Sequence, residues 1–181
     1  YRYAQATHMR HHAFANDPER DTDHRYIGEH WWHAAREVHR DPPREMLEYH
    51  MAEDPVFARD IEISFPILKL FSLVTLICAV LWPLPTFFLW WLPRKIGLSY
   101  TTVFFSWMPH RPAEHQERYQ LARFWRIPGV SRYAVQSMTH HAIHHLYPRI
   151  PHWSQPEALQ ALRPFIEAHD MRGAEILEDY R

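Results

Sequence analysis

The chain has 181 residues, a formal net charge of −1 and a single cysteine, Cys78. That length suits one domain, the near-neutral charge argues against a nucleic-acid partner, and a lone thiol excludes an internal disulfide and a thiolate zinc cluster. Sixteen histidines against four glycines are the outlier; neither the dinucleotide-binding glycine pattern nor a P-loop occurs, so any nucleotide is bound by another protein or another segment.

The chain starts at Tyr1 and carries no signal-peptide pattern, which reads as an N-terminally truncated sequence. Residues 1 to 60 are polar and charged, and they open on His8, His11 and His12. The i, i+3, i+4 spacing puts three imidazoles on one face of a helix, one turn apart. Asp17, Asp21 and Asp23 follow. They are placed either to accept the outer ring N–H of ligating histidines and fix their tautomers, or to form an exposed acidic turn before the next helix. His30, His33, His39 and His50 fall in a charged, Trp-bearing segment that reads as an amphipathic helix at a membrane surface.

From about residue 62 to 108 the chain is strongly apolar. One bilayer span takes roughly 20 residues, so this stretch suits a hairpin of two crossings. The alternative is a buried hairpin of a soluble protein. The best break is Trp82–Pro83–Leu84–Pro85; a rival at Leu92–Lys95 keeps Arg94 and Lys95 out of the bilayer centre but leaves a short second leg. With the first break, Arg94 and Lys95 must snorkel or face other protein. Two crossings return the chain to one side, and Arg-rich flanks against an uncharged turn put both flanks, including Asp17 and Glu157, in the cytoplasm. Trp82, Trp90, Trp91, Trp107 and Trp153 read as belt or core aromatics.

Charge returns after residue 108, and Thr139 to Trp153 reads THHAIHHLYPRIPHW. His141, His144 and His145 repeat the earlier triplet spacing. Beyond them, Ser154 and Glu157 form a capping-box pattern ahead of a terminal helix. Two triplets brought to one side by a hairpin are hard to explain as solvation. Imidazoles sharing a buried site repel when protonated, which favours neutral rings around a cation. Six or more nitrogens exceed a four-coordinate zinc site, and imidazole also suits iron and copper. Two ions sharing many histidines, with redox-active iron, fit this excess.

HMRHHAFANDPERDTD and HHAIHHLYPRIPHW resemble the second and third histidine boxes of the membrane fatty acid desaturase superfamily. SWMPHRP, NDPERDTD and HHLYPRIPHW are most similar to its carotenoid hydroxylase and ketolase branch. The resemblance covers nearly the whole chain and implies a single all-α membrane domain, with two iron ions held by His8, His11, His12, His141, His144 and His145. His110 matches a further histidine that family members place after a membrane leg. His140 stands four residues before His144 and is an alternative to His141. The first box, His-x(3-4)-His, is absent, so a chain of these 181 residues is expected to bind iron weakly unless His24, His30 or His115 replaces it. His152 and His169 read as surface residues.

The implied activity is O2-dependent oxidation of an unactivated C–H bond of a lipid, either fatty acyl desaturation or carotenoid-ring hydroxylation. Electrons then come from a partner such as a ferredoxin, or cytochrome b5 with its reductase. The competing class is a metal-binding or transport membrane protein built on histidine clusters. It needs ionisable groups inside the membrane legs, and the legs hold no His, Asp or Glu beyond Glu62.

Overall fold

The computed structural model describes residues 2–114, 116–127, 129 and 136–176. Among them the protein is all-α, with no strand. Helix α1, Arg2–Phe14, has no Gly or Pro and carries the first histidine triplet on its C-terminal half. It stops where Asn16 turns left-handed, at φ 69°. Asp17 then closes the turn by accepting from the N–H groups of Glu19 and Arg20 at 2.9 and 3.0 Å. Two short helices follow, α2 (Trp31–Glu37) and α3 (Arg44–Glu53), separated by Asp41–Pro42–Pro43, where the prolines deny the chain helical donors. The amphipathic segment is therefore two elements.

Helix α4, Pro55–Leu81, has a well-formed start. Asp54 accepts from Val56 and Phe57, and Pro55 occupies the first turn, where its missing N–H costs nothing. The helix is long and apolar enough to cross a membrane, and only 6% of its most apolar stretch is buried. A core helix of a soluble protein would be covered. The chain reverses at Trp82, the break that the Trp-Pro-Leu-Pro sequence indicates.

The return leg runs helically from Pro83 to His110 as α5 (Pro83–Thr86), a π segment (Phe87–Trp91), α6 (Leu92–Thr101), a second π segment (Thr102–Trp107) and α7 (Met108–His110). Each π segment leads into a proline, Pro93 or Pro109. A proline has no N–H for the carbonyl four residues back and its ring crowds that carbonyl, so the helix widens locally. A short 3-10 turn, Gln136–His140, enters α8 (His141–Leu146), and α9 spans Gln155–Ala168. The terminal helix forms where its pattern lies, but without a capping box. Ser154 closes a 3-10 turn with helical φ and ψ (−94°, −4°), and its hydroxyl makes no cap bond.

Among the described residues, three small cores hold these elements together. Ala6 of α1 packs with Phe57 and Ile61 of α4, under Leu47 and Met51 of α3. Ala34 of α2 packs with Val103 and Trp107 of the return leg, where the Trp107 indole N–H donates to Gly28 O at 2.7 Å. Phe124, Ala142, Ile143, Leu159 and Ile166 join the 119–124 segment, α8 and α9. His50 departs from the surface reading. It is fully buried between α3 and the base of α4, its ring 5.9 Å from Phe57, because α3 turns that face toward the apolar helix.

Ile61 is the fully buried residue that fastens α1 to α4. Ile61→Ala should cost about 2–4 kcal/mol through lost burial plus a cavity. The expected readout is a lower thermal midpoint in detergent together with reduced metal retention, since α1 carries three of the clustered histidines.

Candidate metal centre

Seven imidazoles meet at the base of the hairpin. His11, His110, His141 and His145 form one group, and His8, His12 and His144 a second; within each, the ligand atoms lie within 4.8 Å of one another. These are the seven residues singled out from the sequence. Each triplet divides between the groups. The i and i+4 members (His8 with His12, His141 with His145) stay together, while the i+3 member (His11, His144) crosses to the other group. Helix geometry explains the split: at about 100° per residue, i+4 lies roughly 40° from i on one side and i+3 roughly 60° on the other.

In the second group the three Nε2–Nε2 separations are 2.9, 3.2 and 3.3 Å. In the first, Nε2 of His110 is 3.2 Å from both His11 and His145, and His145 is 3.2 Å from His141. A cation about 2.1 Å from each nitrogen separates neighbouring ligand atoms by roughly 3.0 Å in an octahedron and roughly 3.4 Å in a tetrahedron. The separations, 2.9 to 3.3 Å, lie close to the octahedral end of that range. The groups adjoin, with His12 and His145 stacked at 4.4 Å between ring centroids.

Hydrogen bonds behind the rings decide what the front nitrogens carry. His110 Nδ1 donates to Leu121 O at 3.0 Å; a carbonyl only accepts, so Nδ1 holds the hydrogen and Nε2 a lone pair. His11 Nδ1 donates to the buried Asp21 carboxylate at 2.8 Å, which turns a second lone pair to the same point. Two lone pairs 3.2 Å apart repel unless positive charge lies between them. Burial holds His8 and His110 below the ordinary imidazole range and pushes His12 to about 3 and His144 to about 4. Burial also depresses His141 and His145. His11 alone is raised: burial opposes its charge, but the hydrogen bond and charge of Asp21 outweigh it. Six neutral donors and one carboxylate-backed imidazole are a donor set suited to metal cations.

The three acidic residues separate by role. Asp21 backs His11 and also accepts from the N–H groups of Asn16 and Asp23, at 2.8 Å each. Asp17 caps its turn. Asp23 accepts from Ser106 Oγ at 2.7 Å and so ties the loop to the second π segment. Leu121 O, which accepts from Asn16 Nδ2 as well as from His110, could not have been found from the sequence, because a backbone carbonyl has no residue signature.

His140 stands outside both groups, so the geometry selects the register with His141. His24, His30, His33, His39, His50, His152 and His169 are also outside, and His115 lies outside the described residues. His33 contacts Arg25 O, His39 bonds Ser99 and His169 bonds Phe165 O. An apolar cavity of about 730 Å³ is lined by Trp31, Tyr100, Val103, Phe104, Trp107 and Met108, the last two being the residues before Pro109 and His110 in the chain.

An all-helical protein with a bare apolar hairpin and a polyhistidine cluster at its base falls in the class of membrane-associated proteins with metal-compatible histidine sites. The chain belongs to the fatty acid desaturase family, whose model matches residues 1–174. It is thus a desaturase-like member of a membrane-associated oxidoreductase family. No curated protein and no solved structure matches the chain.

Asp21→Asn would keep the size of the side chain but remove its charge and set an amide N–H against backbone donors. Loss of a carboxylate behind a ligating histidine typically costs 10- to 100-fold in metal affinity. A metal titration should show a loss of about that size with helix content unchanged by circular dichroism.

Proposed function

We propose that the two histidine groups hold two iron ions and that the protein carries out O2-dependent oxidation of unactivated C–H bonds in a lipid. The substrate is a fatty acyl chain, which is desaturated, or a carotenoid ring, which is hydroxylated. The observation that carries this reading is the collapse of two distant triplets and His110 into two adjoining, mutually spaced imidazole groups. His11, His110, His141 and His145 would hold one ion; His8, His12 and His144 would hold the other. When bound, the iron pair supplies O2 reduction coupled to C–H oxidation, with two electrons from the lipid and two from an external donor.

The chain's own residues do the positioning. Asp21 and the Leu121 carbonyl hold His11 and His110 in the tautomer that presents Nε2. The apolar cavity supports a lipid substrate, because Trp107 and Met108 line it and lead directly to Pro109 and His110. A hydrocarbon chain lying there is directed toward the four-histidine group, and its apolar walls exclude water. The chain has no nucleotide or haem fingerprint, which supports an external electron donor such as a ferredoxin, or cytochrome b5 with its reductase. Arg-rich flanks support a cytoplasmic location for the centre.

Alanine at any of His8, His11, His12, His110, His141, His144 or His145 should lower iron content and abolish lipid oxidation, while His152→Ala should alter neither. The measurements are metal analysis of the purified protein and mass spectrometry of lipids from acyl- and carotenoid-producing hosts. Labile zinc or copper in place of iron, with no oxidised lipid, would favour a metal-transport protein instead.

A further inference from the structure

Three arginines converge on the end of the return leg, and none belongs to the histidine groups. Arg111 follows His110 and lays its guanidinium over the Trp107 ring, 4.4 Å from the centroid. Arg123 donates from Nε to Met108 O at 3.0 Å, with Nη2 3.6 Å from Met108 Sδ. Arg172 donates from Nη2 to Arg111 O at 2.9 Å. All three are half-buried. Segments far apart in the chain thus bring three permanent positive charges to residues 107–111.

The cluster lacks paired counter-charge. None of the three forms an ion pair with a carboxylate among the described residues. The acidic residues whose charge reaches Arg123 and Arg172 are Glu175 and Glu114, and both are exposed. Burial, and then the charges of Arg111 and Arg172, hold the Arg123 guanidinium below its ordinary range. Arg111 Nε and Arg172 Nη1 are buried with no acceptor among the described residues, although buried N–H groups ordinarily have one. Such a cluster matches an oxyanion, above all a phosphate, which accepts in pairs from the planar guanidinium fork.

The residues that receive these guanidiniums also wall the apolar cavity. Trp107 and Met108 line it, and so does Ile127, four residues after Arg123. Phe104, another wall residue, stacks on Trp125 with ring centroids 5.7 Å apart. The cavity extends along the return leg to Tyr100 and Lys95. Lys95 lies thirteen residues before Met108, about 20 Å along a helix, and its ammonium faces the Trp91 ring at 5.7 Å. One end of the cavity therefore has three guanidiniums, and the other a lone ammonium already set on an aromatic face. A charged head belongs at the first end, with its hydrocarbon in the cavity.

We propose that Arg111, Arg123 and Arg172 bind the phosphate of a phospholipid whose acyl chain lies in the cavity, so that the chain presented to the histidine centre is still attached to a phosphate headgroup. Its role as substrate rests on the proposed function. The phosphate accepts from the guanidinium N–H groups that the carbonyls of Met108 and Arg111 leave over, and its charge offsets the repulsion among the three. An uncharged carotenoid ring gains nothing from this cluster.

The test is isothermal titration of the full chain in a neutral maltoside detergent with dioctanoylphosphatidylglycerol, dioctanoylglycerol and inorganic phosphate. One phosphatidylglycerol should bind per chain, about tenfold or more tighter than either of the other two, and about tenfold weaker in Arg111→Gln and in Arg123→Gln, since each loses a charge-assisted contact. Equal affinity for phosphatidylglycerol and dioctanoylglycerol overturns the proposal, as does unchanged affinity in either variant. Inorganic phosphate binding as tightly as the lipid makes this a free-anion site and overturns the lipid assignment. Binding lost in Lys95→Leu but kept in the arginine variants puts the head at the other end of the cavity and overturns it too. If Arg123→Gln misfolds, because it also loses the bond to Met108 O, Arg111→Gln and the three-ligand comparison on the unaltered protein decide. The titration does not need bound iron. Its failure leaves the proposed function standing with a carotenoid substrate, whereas protein that holds no iron and oxidises no lipid sinks that function and leaves the phosphate site intact.

Discussion

Everything else in the structure depends on the crowding of seven mostly neutral imidazoles whose front nitrogens stand 2.9 to 3.3 Å apart. At His11 and His110, whose Nδ1–H groups are held from behind, the front lone pairs face each other and repel unless positive charge lies between them. A bound cation and the folded base of the protein therefore stabilise one another, because the site is assembled from α1, α7 and α8, which are far apart in the chain. Asp21 and the Leu121 carbonyl are the parts that keep the conflict in place, since each stops a ring from rotating its N–H to the front.

The return leg connects this centre to the membrane. Prolines 93 and 109 leave the leg helical but over-wide, and the second π segment changes the rotation of the helix before His110. A regular helix would aim that side chain differently. Ser106 and Trp107 in the same segment bind Asp23 and Gly28 O, so the loop that carries Asp21 is fastened to the element that carries His110. Arg123 N–H donates to Pro109 O at 2.9 Å and Arg123 Nε to Met108 O at 3.0 Å, strapping the end of the leg from the other side. The widened helix is thus held by both of the segments whose side chains or carbonyls orient the histidines.

The cavity runs along the return leg from Met108, two residues before His110, to Tyr100 and Trp31. Trp31, Tyr100 and Phe104 line the cavity at the level where the charged 36–41 segment meets the return leg. An apolar cavity running beside polar segments is the arrangement expected where a lipid tail leaves a leaflet while its headgroup stays wet.

The sequence by itself determined the class of fold, the break at Trp82 and six of the clustered histidines, while His110 was singled out only by the resemblance to the family. Those features are written locally: hydropathy over a span, proline at a turn, and i, i+3, i+4 spacing on one helix. It could not sort Asp17, Asp21 and Asp23, because three acidic residues in seven positions look alike until one of them faces a ring. It placed His50 at the surface and gave Ser154 a cap, since neither the packing of α3 on α4 nor the 3-10 turn before α9 has a local signature. Which histidines share a group, and which carbonyl holds His110, was decided only in three dimensions. Those contacts join residues separated by up to 136 positions, and their geometry depends on how the helices rotate against one another.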